Sequence, residues 1–351
     1  MNRFHSRKNL MNPKDFVVYD PSRIKWNTTL FKRVKASLKM YPNESRYFIV
    51  EYRPFTKCWC YLDAQLVDAC RDIPKIFQSA AIRLRTICTN SALGSPDLAS
   101  WMVKHPPDGE ITRAAMCFPM YSRFANTMNK IGDFGLRRED SFNLTAMPQR
   151  FYGCETNKDD MFYYVYGILS CPEYIVCYKR NLGREIPRIP AVVSLHEFLE
   201  FAEAGRKLAD LHVEYDQAEE YSVAETWIHD SILSTIDTQT KFRVEKMKFL
   251  NKNDKSTLQY NPYLKISGIP DEAYDFTVNG KSLVEWVMDR QRVSVHKDSG
   301  IENDANDFAN ETMNDPAYPL KLLKKAITVG IKTREIQRSM PPLRIHKKMS
   351  G

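Results

Sequence analysis

The sequence predicts an α+β fold (mixed α/β), with a strand-rich N-terminal part followed by a helical region that carries a basic β-hairpin. Three observations predict it. Tyr47-Phe48-Ile49-Val50-Glu51-Tyr52 has strand composition and stops at Arg53-Pro54, where proline cannot donate to a ladder. Three later segments combine an N-cap with apolar residues at helical spacing. Lys241 to Phe249 alternates basic and apolar side chains.

Taken in order, residues 1–20 read as an irregular entry. The strand at 47–52 is followed by Trp59-Cys60-Tyr61-Leu62, a second short strand. Residues 90–110 are rich in Ser, Gly, Pro and Asp and read as loop. Residues 125–150 are polar, and a domain junction is placed there. Met161, Tyr164, Val165, Ile168 and Leu169 repeat at helical spacing and make one apolar stripe, with Asn157 as its cap. Pro172 ends or kinks that helix. Ser194 and Glu197 form a capping box for the next helix, whose buried face is Leu195, Phe198, Leu199, Ala202, Leu208 and Leu211. The hairpin runs out along Lys241–Phe249, turns at 251–255 and returns along Thr257–Ser267. Ser282 and Glu285 form another capping box, with Leu283, Val284, Val287 and Met288 inward. A last helix starts at Pro319. The expected division is therefore 1–140, 141–340 and a basic tail at 341–351.

A chain of 351 residues with 43% hydrophobic and 12% aromatic content can bury a sizeable core and is not a disordered type. No apolar run approaches the roughly 18 residues of a membrane helix, and no secretory stretch opens the chain. The expectation is a cytoplasmic protein with no membrane partner. The eight cysteines form no CxxC pair and no zinc ladder, so they read as reduced packing residues and no metal site is expected. The net charge of +8 is uneven: residues 1–40 hold ten Lys/Arg against two acids, whereas Asp298–Asp315 holds six acids and no base. Basic surface attracts phosphate backbones.

The absences narrow the chemistry. No two of the thirteen glycines are separated by a single residue, so no GxG turn for a dinucleotide or S-adenosylmethionine exists. No Walker A sequence, D/E-x-K, GxSxG or HExxH occurs. Asn261-Pro262-Tyr263 is similar to the Asn-Pro-Pro-Tyr loop of adenine methyltransferases but lacks the second proline, and it reads as a turn. Asp133-Phe134-Gly135 matches the kinase metal loop without its partner motifs. His196 and His212 are 16 residues apart and read as solvated or packed. No catalytic residue and no cofactor site is assigned.

Two features could touch DNA. Arg53 and Lys57 can pair with phosphates or base edges beside Trp59, which could stack. The other reading is a strand end whose arginine caps a carboxylate or carbonyl. The basic hairpin offers Lys241, Arg243, Lys246, Lys248 and Lys252, with Lys241 and Arg243 about 7 Å apart along one strand face. A charged edge that discourages aggregation is the competing account.

The blocks Phe151-Tyr152-Gly153-Cys154, Asp159–Tyr174, Glu185–Pro190 and Phe201–His212 resemble the C-terminal specificity domain of type ISP restriction–modification enzymes. So do Lys265–Pro270, Val278–Ser282, Glu285–Arg290 and Asp298–Ile301, in order and spacing, and the Tyr52-Arg53-Pro54-Phe55 segment. Such enzymes are long single chains joining a nuclease, a translocase, an adenine methyltransferase and a target recognition domain. The resemblance implies sequence-specific recognition of duplex DNA, with S-adenosylmethionine, ATP and Mg2+ used only by domains outside this chain. It implies an adenine methyltransferase and a translocase/nuclease as partners, in the same polypeptide or as a split subunit. Two other classes compete. One is a scaffold that docks a methyltransferase without touching DNA. The other is an enzyme whose pocket is lined by the aromatic Phe151–Tyr178 segment.

Overall fold

A computed structural model describes residues 17–36, 41, 43–63, 66, 85–90, 97–120, 147–227 and 234–346. The expected junction at 125–150 and the Asp133-Phe134-Gly135 triplet lie largely or wholly outside the described residues. The fold is mixed α+β. Thirteen short strands are described, of which β1 (Tyr47–Arg53), β2 (Thr56–Tyr61), β3 (Thr86–Asn90), β4 (Ser100–Val103), β5 (Ala115–Pro119), β6 (Ala224–Trp227), β7 (Lys248–Asn251), β8 (Asp254–Asn261) and β9 (Leu264–Ser267) build the three larger ladders. The helices are α1 (Thr28–Lys35), α2 (Met147–Tyr152), α3 (Lys158–Ser170), α4 (Pro172–Cys177), α5 (Lys179–Leu182), α6 (Leu195–Val213), α7 (Thr238–Phe242), α8 (Leu283–Arg290), α9 (Ala305–Asp307) and α10 (Tyr318–Arg338).

The sheets are antiparallel: β1-β2, β4-β3-β5 and β6-β9-β8-β7 in spatial order. Helix α3 starts at its Asn157 cap and ends at Ser170; Pro172 opens α4, where its missing N–H has no partner to lose. The expected single stripe on α3 is too narrow a description. Every residue from Met161 to Ser170 is buried, so the helix is enclosed on all sides. Three tyrosine hydroxyls donate to alternate carbonyls of one extended segment: Tyr174 to Arg188 at 2.8 Å, Tyr164 to Pro190 at 2.7 Å and Tyr152 to Val192 at 2.9 Å. These rings form core and wall, and their hydroxyls are engaged.

Helix α6 corrects the sequence reading in two ways. Ser194 caps it, but the Glu197 carboxylate turns away to Arg344 instead of closing a capping box. Its buried face is rotated, so Leu199 is exposed while Phe201, Gly205 and His212 are inside. The Ser282/Glu285 box on α8 is complete. The C-terminal segment docks beside α6: Leu343 N–H donates to Glu173, Ile345 bridges Val192, and His346 N–H donates to the Ala191 carbonyl.

Two main cores result, and both draw side chains from either side of residue 140. Ile87, Met102 and Phe118 pack with α3 and α6. Phe55, Trp101 and Ile111 pack with Leu258, Ile266, Val284 and Ile327. His212 sits where they meet. Its Nδ1 lies 2.6 Å from the Tyr166 hydroxyl and its Nε2 lies 2.9 Å from Thr333 Oγ1. The ring stacks on Trp101 at 4.4 Å and on Phe276 at 5.5 Å. Burial lowers its pKa to about 3. Because the folded value lies below the unfolded one, the neutral ring is favoured, and its stability is lost as pH falls from about 6.5 toward 3. Glu51 runs the other way: burial raises its pKa to about 7, so folding gains as pH falls from 7 toward 4.5. The His212 effect is therefore read against His212→Gln. The wild-type advantage in denaturant unfolding is expected to shrink by about 1.4 kcal/mol per pH unit below 6. A pH-independent difference would contradict this.

Candidate nucleic-acid interface

The β6-β9-β8-β7 sheet has one face on the core and one toward solvent. Leu258, Leu264 and Ile266 are buried, and Phe249 packs against them. Residues directly opposite across a ladder share a face. The register pairs Lys248 with Gln259, Gln259 with Lys265, and Lys265 with Thr226, so one row crosses all four strands on the outer face. The neighbouring row is Thr257, Ser267 and Ala224. Neither row contains an acid. Strands lie about 4.8 Å apart, which places Lys248 and Lys265 roughly 10 Å apart. That spacing suits phosphates flanking a groove of about 6–12 Å. Lys246 and Lys252 are exposed just before and just after β7. None of Lys246, Lys248, Lys252 and Lys265 forms an ion pair among the described residues.

The expected hairpin is corrected in detail. The β7/β8 pair turns at Lys252-Asn253, but Lys241 and Arg243 are not on it. Asp237 caps Thr240 at 2.8 Å and starts α7, so Lys241 lies in a helical turn and Arg243 just after it. The Thr257–Ser267 return is two strands, β8 and β9, with a turn at Pro262-Tyr263. Lys241 lies 4.6 Å over the Trp227 ring. The proposed row of Lys241 and Arg243 along one strand does not exist; the row is Lys248 and Lys265. Lys265 was missed because its alignment with Lys248 depends on a register through β8.

Asn261, in the Asn-Pro-Tyr turn, is wholly engaged within the fold. Its Oδ1 accepts from the N–H groups of Tyr263 at 3.0 Å and Leu264 at 2.9 Å, and its Nδ2 donates to the carbonyls of Lys241 at 2.9 Å and Arg243 at 3.1 Å. It is a turn residue that pins the α7 end to the sheet.

The other candidates lie on the β1/β2 hairpin. Arg53 donates to Asp108 at 2.5 Å and to the Tyr52 carbonyl at 2.5 Å, the strand-end cap weighed against a DNA role. Lys57 pairs with Asp216 and lies 4.6 Å over the Tyr215 ring, beside buried Glu51. Trp59 is 56% exposed and donates from Nε1 to Thr312 at 3.0 Å. Lys57 is thus the cation inside a cluster of Glu51, Asp216 and Tyr318. Lys57→Met is expected to destabilise the fold by about 3 kcal/mol, because it strands the buried Glu51 and the half-buried Asp216. The check is chemical denaturation; a change under about 0.5 kcal/mol would show that the cluster does not need its cation.

Among the described residues, no group of three His, Cys, Asp or Glu could hold a metal ion, and no helix is long and apolar enough to cross a membrane. The family described as "Type ISP C-terminal specificity domain" matches residues 1–322. The chain belongs to this family.

Solved structures agree with that placement. A nuclease-deletion mutant of the type ISP restriction–modification enzyme LlaGI, in complex with a DNA substrate mimic, superposes with a TM-score of 0.80 at 27% identity. It covers 98% of this specificity domain, which spans 30% of that chain. The ATP-dependent type ISP enzyme LlaBIII bound to DNA gives 0.77 at 26% identity, covering 93% of this chain and 20% of that one. The DrdV–DNA complex shares the fold, with a TM-score of 0.76 at 20% identity, covering 98% of this chain and 33% of that one. The specificity domain thus spans a third or less of the solved chains it matches. Among curated proteins, no sequence matches it significantly.

Proposed function

We propose that this specificity domain recognises a target sequence in duplex DNA and directs adenine methylation and restriction carried by other domains. The observation that carries the reading is the pair of acid-free rows on the outer face of the β6-β9-β8-β7 sheet, in a chain whose family is defined by specificity and whose solved relatives are bound to DNA. Phosphate contacts position such a reader, and base contacts specify the sequence. Lys246, Lys248, Lys252 and Lys265 are the positioning cations, and Lys241 flanks them.

The partners follow from the same reading. They are an adenine methyltransferase and a translocase/nuclease, as domains of a parent enzyme or as a split subunit. S-adenosylmethionine, ATP and Mg2+ act on those partners, and the setting is the cytoplasm, where cellular DNA is reached. A lone reader covers one side of the duplex, so binding by the isolated chain is expected to be weak and to tighten with the methyltransferase.

The test is a titration with random-sequence duplex at two salt concentrations. Binding that weakens with salt is expected. A folded chain that binds at neither concentration would be a scaffold, not a DNA reader.

A further inference from the structure

A polar cleft of about 420 Å³ is lined by Asp237, Thr238, Thr240, Arg243, Asn306 and Asn310 among others. Its amides, hydroxyls and guanidinium are groups that read base edges, and its carboxylate, Asp237, accepts from the Thr240 N–H and hydroxyl. The way Arg243 is held sets this cleft apart from an ordinary surface dip. Its Nε donates to Glu245 at 2.8 Å and one terminal nitrogen lies 2.7 Å from Asp304 Oδ2. Asp304 is itself fixed, because its Oδ1 accepts from the Asn306 N–H at 2.8 Å and from Asn306 Nδ2 at 2.7 Å. The guanidinium carries five donors, so this buttress leaves three, enough for a two-pronged fork. The side chain remains 40% exposed.

The backbone beneath it is equally fixed. Asn261 holds the carbonyls of Lys241 and Arg243, Tyr260 hydroxyl donates to the Phe242 carbonyl at 2.9 Å, and Asn306 bonds both the N–H and the carbonyl of Val244 at 2.9 Å. A reader preorganised in this way loses little side-chain freedom on binding.

The geometry points to Arg243 as a specificity-determining residue that reads one guanine in the major groove. This inference rests on the DNA-reading function proposed above. Arg243 is then set apart from the surrounding lysines, which hold phosphates without regard to sequence. The planar fork meets guanine O6 and N7 with two fixed, parallel hydrogen bonds, whereas an ammonium reaches the same atoms as a rotatable point charge.

The experiment selects bound sequences from a random duplex pool with wild-type protein and with Arg243→Lys in parallel, each with a partner adenine methyltransferase. The wild type is expected to enrich a motif containing guanine. Arg243→Lys, which keeps the charge, is expected to lose preference at one guanine position by about 10-fold or more, with little change in affinity for random duplex. Enrichment of the same guanines by both proteins would overturn the inference and leave the DNA-reading function intact. A wild type that enriches nothing would overturn the function itself, and the inference with it. If Arg243→Lys does not fold, wild-type protein on DNA with 7-deazaguanine at each motif guanine decides the matter. Weakened binding at one position supports the fork on N7, and unchanged binding at all of them overturns it.

Discussion

Replacing Gly205 with alanine is expected to disrupt the centre of the fold. Helices α3 and α6 touch there through their backbones. A Cβ on Gly205 would sit 1.9 Å from the Tyr163 carbonyl oxygen and 2.7 Å from the Gly167 nitrogen. A Cβ on Gly167 would meet the Phe201 carbonyl oxygen at 2.3 Å. These neighbours are main chain inside two helices, so no side chain can swing aside. Relief requires the helices to part, and that loosens Phe162, Tyr166, Phe198 and Ala202 in one core. The expected loss is more than about 3 kcal/mol, at the upper end of overpacking effects. Thermal or denaturant unfolding measures it. Gly109→Ala is the control, because nothing lies within 4 Å of its added carbon. Equal stability of the two variants would contradict the close helix crossing.

The second large effect is on binding. Changing Lys246, Lys248, Lys252 and Lys265 together to glutamine is expected to lower affinity for random duplex by about 100-fold at low salt. Each lost phosphate contact removes about 0.9 from the slope of log affinity against log salt, so the slope should flatten by about 3–4. None of these side chains is ion-paired among the described residues, so the melting midpoint should stay near that of the wild type. Lys241 is left in place because its ammonium covers Trp227. An unchanged salt slope with lowered affinity would mean that the four lysines act indirectly, and the sheet face would lose its assigned role.

The helices were legible because their signals are local. Asn157, Ser194 and Ser282 each cap a helix within three residues, and the apolar spacing of α3 and α8 is visible in a short window. Even α7 has such a signal, in Asp237-Thr238-Gln239-Thr240, but the basic alternation that follows has the pattern of a strand. What the sequence could not disclose depends on distant partners. Asp108 lies 55 residues from Arg53, and Asp216 lies 159 residues from Lys57. Those carboxylates hold Arg53 and Lys57 in internal ion pairs. The burial of α3 on every side, the rotation of α6 and the row from Lys248 to Lys265 also arise from tertiary register. Periodicity reports that a face exists and not which neighbour covers it.

Sequence reading in duplex DNA is tested by comparing the sequences that the isolated protein and its complex with a partner adenine methyltransferase retain from a random duplex pool. A single enriched motif is expected with the partner, and weak or no enrichment without it. A folded protein that enriches no motif in either setting would not be a reader of DNA sequence.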